Sequence, residues 1–326
     1  MTQTSPHVDT RVILGADVGK ASIVVKRLVG GTPAKGGTIT IANDPASIAT
    51  ALAELGHIDL IVCEVTGGYE RALLNAAVQA GLAIHRADGA RVKAYIKSNG
   101  VRAKNDAIDA LWLAVYGQDR FDKLKTWSPP AQEDEAFQAL VRHRQDLLKA
   151  QTVVKNRRKA PTCDHIVTFL DDELAFYAKL IKDVEKEIEV LLAANTIIAD
   201  KEKKLRAIKG IGPVSARILI AMLPELGAVT RREIASLAGL APHCDQSGIT
   251  TKKRPMTGGR DLIRSTLFLA ALSAARHHPT LKLFYDNLIT NFKPAKKALA
   301  AVARKLVTIA NAVLRPDYKP EVVLLN

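Results

Sequence analysis

The sequence has few of the residues that build cross-linked or membrane-embedded proteins. Its three cysteines, Cys63, Cys163 and Cys244, show no CxxC spacing, which argues against a disulfide framework and a cysteine-based zinc site. No apolar run reaches about 18 residues, and the first ten residues are polar, so neither a membrane span nor a signal peptide is expected. These absences predict a cytoplasmic protein in a reducing compartment.

Acidic residues are scarce relative to basic ones. The chain of 326 residues has 47 Lys and Arg against 33 Asp and Glu, which gives a net charge of +14. Residues 248–326 hold 14 basic and 4 acidic residues, so much of the excess lies in the C-terminal quarter. A balance of this kind is typical of nucleic-acid-binding proteins, with an anionic membrane surface as the competing partner.

Four of the acidic residues stand out by their positions. Asp17 and Glu64 end two apolar runs, residues 12–17 and 58–64, that are typical of buried strands. An ionised carboxylate is costly there unless it lies at the strand's open end or binds a cation. Asp106 and Asp109 are three residues apart on a predicted helix and therefore share a face. Single acids are usually solvated surface residues, but the order and placement of these four predict a divalent-metal site.

The pattern of apolar residues predicts two kinds of architecture along the chain. Up to residue 130, strands at 12–17, 22–28, 38–42, 58–64 and 83–86 alternate with helices, which predicts a mixed α/β sheet. Residues 133–159 and 171–204 then predict long helices. Their apolar stripe fits an antiparallel helical pair or an intermolecular coiled coil, and both remain open. We predict three segments, 1–130, 131–204 and a helical 205–326.

Two C-terminal motifs carry candidate phosphate chemistry. Residues 208–213 resemble the turn of a helix-hairpin-helix, in which backbone amides face a phosphate, although an ordinary helical corner is the alternative. Ser247 precedes a glycine near several basic residues, so its hydroxyl could attack a phosphodiester, although such a pair often only marks a turn. The predicted nucleic-acid contacts are Arg102, Lys104, Lys209, Gly210, Gly212, Lys252, Lys253, Arg254, Arg260 and Arg264.

Several motifs occur together in one order. They are residues 64–69, 104–110, 208–213 and 238–242, followed by Ser247-Gly248 and Gly258-Gly259. In this combination the sequence resembles the DEDD insertion-sequence transposases of the IS110 family, which include Piv-type DNA invertases and bridge-RNA-guided recombinases. The resemblance runs from about residue 11 to about residue 315.

The resemblance implies a fold and a reaction. It implies a RuvC-like, ribonuclease-H-like N-terminal domain, a coiled-coil segment and a helical transposase domain. By motif, Asp17, Glu64, Asp106 and Asp109 match metal-binding acids for one or two Mg²⁺ ions, which Mn²⁺ can replace, and Ser247 matches a nucleophile. Strand cleavage would link Ser247 to a DNA phosphate before exchange and religation. A family Asn is replaced here by Arg260, which we expect to add a phosphate contact.

The implied partners are donor and target double-stranded DNA, a noncoding guide RNA and further copies of the chain, as a dimer or tetramer, at the nucleoid. No membrane partner is expected. Two other functions remain open: a resolvase-like nuclease in which water attacks and Ser247 is structural, and a non-catalytic nucleic-acid-binding scaffold.

Overall fold

The computed structural model divides the chain into two units, residues 1–130 and 131–326. It describes residues 9–34, 37–101, 105–129, 132–160, 164–241, 244–247, 250–253, 258–291 and 294–318. For residues 244–247 and 250–253 only the backbone is described. The finer division of the second unit at residue 204 stays a prediction.

A six-stranded mixed sheet forms the centre of the first unit. The strands are β1 (Val12–Val18), β2 (Ser22–Val29), β3 (Thr32–Pro33), β4 (Ile39–Ala42), β5 (Leu60–Glu64) and β6 (Ile84–Ala87). The order is β3-β2-β1-β5-β6, and β4 pairs with β2 as well. β1, β5 and β6 are parallel, while β2 is antiparallel to β1. This is the ribonuclease-H-like arrangement, so the predicted fold class is confirmed.

Helices cover both faces of this sheet. α1 (Pro45–Glu54) and α2 (Arg71–Gln79) pack on the face that carries Leu14 and Ala16. α3 (Gly89–Ser98) and α4 (Asp106–Asp119) pack on the opposite face, which carries Ile13 and Val62. β1 is therefore buried on both sides, which explains its nearly continuous apolar sequence. A short 3₁₀ helix, Phe121–Lys123, follows α4.

The second unit begins with an antiparallel helical pair, α5 (Gln132–Lys159) and α6 (Asp164–Ala194). Arg158 bonds to Asp171 at 2.8 Å and Arg144 to Glu185 at 2.6 Å. The second pair lies 14 residues back along α5 and 14 residues forward along α6, which defines an antiparallel register. The apolar stripe predicted from the sequence thus packs within the chain.

The predicted single helix at 171–204 is two helices. Asn195 interrupts it, because its side chain accepts hydrogen bonds from the amides of Ile197 and Ile198 and so caps α7 (Thr196–Arg206). Asn is a strong helix-capping residue, and its side chain competes for amides that would otherwise continue α6.

The rest of the second unit packs around two long helices. Its elements are α8 (Pro213–Met222), α9 (Arg231–Leu237), β7 (Cys244–Ser247), β8 (Thr250–Lys253), α10 (Asp261–His277), α11 (Pro279–Thr290) and α12 (Ala295–Val313). Leu267 of α10 and Leu306 of α12 lie in one core with Phe137 and Ile188 from the helical pair. The two-stranded sheet interrupts a region predicted to be all helical. No helix in the described ranges has the length and apolarity needed to cross a membrane.

Candidate active site and nucleic-acid interface

Asp17 and Glu64 occupy neighbouring positions on two adjacent parallel strands. The last paired residues of β1 and β5 are Ala16 and Cys63, and the two acids follow them directly. Adjacent strands are about 5 Å apart. Because side chains alternate along a strand, Asp17 shares a face with Ile13, and both acids lie on the face covered by α4. The sheet therefore presents two carboxylates at one edge, at the carboxyl ends of its parallel strands.

A glycine brings α4 against β1. A Cβ at Gly15 would overlap the carbonyl oxygen of Ala110 and lie 2.5 Å from the nitrogen of Ala114. Farther along the helix, Gly117 lies against Ile13 and Val62. α4 therefore runs opposite to β1, and its first turn points toward the edge where Asp17 and Glu64 lie.

The first turn of α4 carries the other two acids. Asn105 caps it by accepting a hydrogen bond from the amide of Ile108 at 2.8 Å. Asp106 lies about 6 Å along the helix from Ala110. Asp17 lies about 7 Å along the strand from Gly15, in the same direction. The topology thus brings all four acids to one edge of the sheet.

The four side chains do not converge on one point. Within the described residues, no three His, Cys, Asp or Glu side chains are placed to hold a metal ion. The Glu64 carboxylate lies over Gly89 at the start of α3, with its Oε1 3.5 Å from the Lys93 Nζ. All four candidate ligands are oxygen donors, the type preferred by Mg²⁺. The donor type suits a hard cation, and binding through Glu64 requires its carboxylate to turn from Lys93.

The helix-hairpin-helix predicted at residues 208–213 is present between α7 and α8. Pro213 is the first residue of α8, and Gly212 precedes it with no side-chain cap. Gly210 has a φ of +110°, and a Cβ there would lie 2.6 Å from the Cβ of Ala274 on α10. Gly210 therefore serves close packing, whereas the exposed Lys209 remains the candidate phosphate contact at this turn.

The candidate nucleophile lies in a strand, not in the loop expected from its Ser-Gly sequence. Ser247 is the last residue of β7 and pairs with Thr250, at the turn end of the β7–β8 hairpin. Lys252 and Lys253 lie on β8, opposite Asp245 and Cys244. Three predicted contacts, Arg102, Lys104 and Arg254, lie outside the described residues.

Two predicted phosphate contacts make bonds within the protein. The guanidinium of Arg260 donates to both carboxylate oxygens of Glu225, each at 2.7 Å, and to the carbonyl of Met222 at 3.0 Å. Arg264 donates to the carbonyl of Gly258 at 2.7 Å and also bonds to Asp261. Phosphate binding by these arginines remains a prediction, and it would compete with these contacts.

Two family models match this chain. One, described as a transposase, matches residues 14–161, which include the four acids. The other, described as the transposase IS116/IS110/IS902 family, matches residues 202–286, which include the helix-hairpin-helix and Ser247. Together they span well over half of the sequence. The chain belongs to the IS110 family of transposases.

Known relatives of this IS110-family transposase include an invertase. The pilin gene-inverting protein of Moraxella bovis is 28% identical over 261 residues, which cover 79% of this chain and 80% of that protein. An insertion element IS110 protein of Streptomyces coelicolor is 30% identical over 173 residues, 52% of this chain and 41% of the relative. A solved structure of T. thermophilus RuvC with a Holliday junction substrate matches at 13% identity and a TM-score of 0.31, covering 36% of this chain and 99% of RuvC.

The sequence motifs of the IS110-family transposase did not reveal Glu70. This carboxylate is fully buried and accepts hydrogen bonds from Gly68 at 2.8 Å and from Arg86 at 2.6 Å. Burial raises its pKa, but bonds from its own amide, from Arg86 and from residues 66–68 outweigh burial and lower the pKa of Glu70 to about 2. Lys93 was missed as well, because α3 was not predicted.

Proposed function

We propose that this transposase cuts and rejoins DNA through Ser247, with one or two Mg²⁺ ions held by Asp17, Glu64, Asp106 and Asp109. The observation that carries the proposal is the meeting of the two strand ends and the first turn of α4 at one edge of the sheet. When bound there, Mg²⁺ would polarise the scissile phosphate and stabilise charge on the attacking and leaving oxygens.

The chain's own residues supply the ligands in a favourable place. Asp106 and Asp109 lie at the N-terminus of α4, where the helix dipole stabilises negative charge before any cation binds. Asp17 and Glu64 lie on strands that are fixed by the packed core. Lys93 offsets the charge of Glu64 while that carboxylate is not coordinating.

Ser247 would act as the nucleophile. Its oxygen would attack phosphorus and lose its proton to a base, while the departing DNA oxygen leaves with the bonding electrons and gains a proton. Attack by a DNA hydroxyl on the phosphoserine would reverse these changes during religation. The energy of the broken bond is conserved in the phosphoserine, so no nucleotide hydrolysis is needed. The lack of a GxxxxGK[ST] motif agrees with this.

The proposed partners are donor and target DNA, a guide RNA and further copies of the chain, which places the protein at the nucleoid in the cytoplasm. The helix-hairpin-helix and the basic C-terminal quarter support DNA binding. The guide RNA follows from the family alone. Self-association is supported by exposed apolar residues that repeat at multiples of seven along α6, namely Phe169, Phe176 and Val190.

Two variants test the reaction on DNA that carries recombination sites. Ser247→Ala and Asp106→Asn should both abolish recombination while the protein remains folded. The covalent protein–DNA adduct, trapped by denaturation and resolved on a gel, should vanish with Ser247→Ala. Full strand cleavage by Ser247→Ala with free ends would instead identify a hydrolytic nuclease. Undiminished activity after replacement of all four acids would identify a non-catalytic scaffold.

A further inference from the structure

The chain enters the Ser247 hairpin from a left-handed glycine that ends α9. Gly239 has a φ of +66°. Its amide donates to the carbonyl of Ser236 at 2.9 Å, and the next amide, of Leu240, donates to Ala235 at 2.8 Å. This pair of bonds is the Schellman motif, in which a residue with positive φ turns the chain sharply out of a helix.

The chain leaves the hairpin across the same glycine. A Cβ at Gly259, which has a φ of +66°, would overlap the nitrogen of Gly239 and lie 2.8 Å from the carbonyl oxygen of Leu237. The amide of Arg260 donates to that same carbonyl at 2.9 Å. We call the contact between Gly239, Gly258 and Gly259 the glycine clamp.

Two arginine side chains fasten the clamp to its surroundings. Arg264 donates to the carbonyl of Gly258 at 2.7 Å, which ties the clamp to α10. Arg260 forms its two bonds to Glu225 in the segment after α8, and a further bond to the carbonyl of Met222 at the end of α8. A bidentate arginine–carboxylate pair fixes orientation better than a single contact. The clamp is therefore connected to α8, α9 and α10 at once.

A hairpin of two four-residue strands is marginally stable alone, so its orientation depends on its attachment. β7 begins five residues after Gly239, and β8 ends five residues before Gly258. We propose that the glycine clamp, with Arg260 and Glu225, positions Ser247 for strand cleavage. These are positioning residues that act through the backbone, and the inference rests on the proposed nucleophilic role of Ser247.

The test combines a clamp variant with a charge reversal. Gly259→Ala places a methyl group where Gly239 lies. Arg260→Glu breaks the ion pair, and the double variant Arg260→Glu, Glu225→Arg restores it with reversed polarity. Arg158→Ala is the matched control, because it removes a similar ion pair from the helical pair α5–α6. Each variant is made in the full-length chain, and its fold is checked by circular dichroism.

Two readouts separate positioning from general stability. Hydrogen exchange of the amides in residues 244–253 should speed up about tenfold or more in Gly259→Ala and Arg260→Glu, while the core amides of α12 stay protected. Adduct formation at saturating DNA should slow about 100-fold, a kcat effect with little change in KM. The double variant should recover most of both losses, and Arg158→Ala should change neither.

The two proposals fail separately. Unchanged hydrogen exchange in Gly259→Ala and Arg260→Glu would overturn the clamp, whatever the chemistry of Ser247. Faster exchange with an unaltered rate of adduct formation would also overturn it, since Ser247 would then not depend on the clamp. The lack of any adduct in the unaltered protein would reject the nucleophilic serine, and the exchange measurement would still decide whether the clamp holds the hairpin.

Discussion

Glu70 shows how a single buried carboxylate can shape the turn beside a catalytic strand. The two glycines at 67 and 68 have positive φ angles, and the turn they form follows Glu64 directly. The Glu70 carboxylate accepts bonds from the amides of Thr66 and Gly68, so it holds this turn from inside. Arg86 supplies the opposite charge. The backbone beyond Glu64 is thus fixed by one charge that water does not reach.

Replacing Glu70 should destabilise the first unit and change its response to acid. The pKa of this group is about 2 in the folded protein against 4.5 ordinarily, so its contribution is complete above pH 4.5 and lost as pH falls toward 2. Glu70→Gln should cost about 3 kcal/mol at pH 7 and remove that part of the acid sensitivity. Urea unfolding followed by circular dichroism from pH 7 to pH 2 measures both effects.

The exposed Glu54 at the end of α1 provides the control. Glu54→Gln should change the free energy of unfolding by less than about 0.5 kcal/mol. Equal effects of the two replacements would show that the hydrogen bonds to Glu70 contribute nothing special.

At the scale of elements, the contact between α4 and β1 sets the level of the acidic edge. Gly15 leaves no room for a side chain under α4, and the position of Asp106 and Asp109 depends on that close approach. The helix would have to move away from the sheet to admit even a methyl group. A change two residues from Asp17 would then move the acids on the other element.

Gly15→Ala should therefore impair activity through displacement of α4. Overpacking of a core contact costs about 1–3 kcal/mol, and misplaced ligands lower the cleavage rate further. Urea unfolding and a DNA cleavage assay at saturating Mg²⁺ measure the two losses. Ala53→Val, which adds atoms at an exposed position of α1, should change neither. Full cleavage activity in Gly15→Ala would contradict the proposed role of the α4–β1 contact.

Elements with a strong local signal could be predicted from the sequence, and those held by tertiary contacts could not. α4 begins where Asn105 caps it, and the turn before Pro213 was found from its glycines. α3 was missed because Val92 is its only buried residue, so it has almost no apolar periodicity. The β7–β8 hairpin lacks an apolar strand pattern. The acids were recognised, but the contact of Glu64 with Lys93 was not, because it requires α3.

On the scale of the whole molecule, the two units have separate cores. The first unit buries apolar residues on both faces of its sheet, and the clusters there contain no residue beyond Trp127. The cluster of the second unit begins at Phe137. A unit with a complete core of its own meets the physical requirement for independent folding.

The fragment 1–130 should therefore fold alone. We expect a cooperative urea transition and a circular dichroism spectrum of a mixed α/β protein, with Glu70→Gln destabilising the fragment as it does the full chain. A non-cooperative transition, or loss of the effect of Glu70→Gln, would show that the first unit needs the second.

The α5–α6 pair has a further consequence for the design of shortened variants. Its two ion pairs recur at equal intervals on both arms, and 14 residues correspond to about four helical turns. Removal of that interval from each arm would rejoin faces of matching polarity and leave a stub with the same crossing geometry. The arm can thus be trimmed like a telescoping rod, and its reach can be varied while the rest of the chain keeps its sequence.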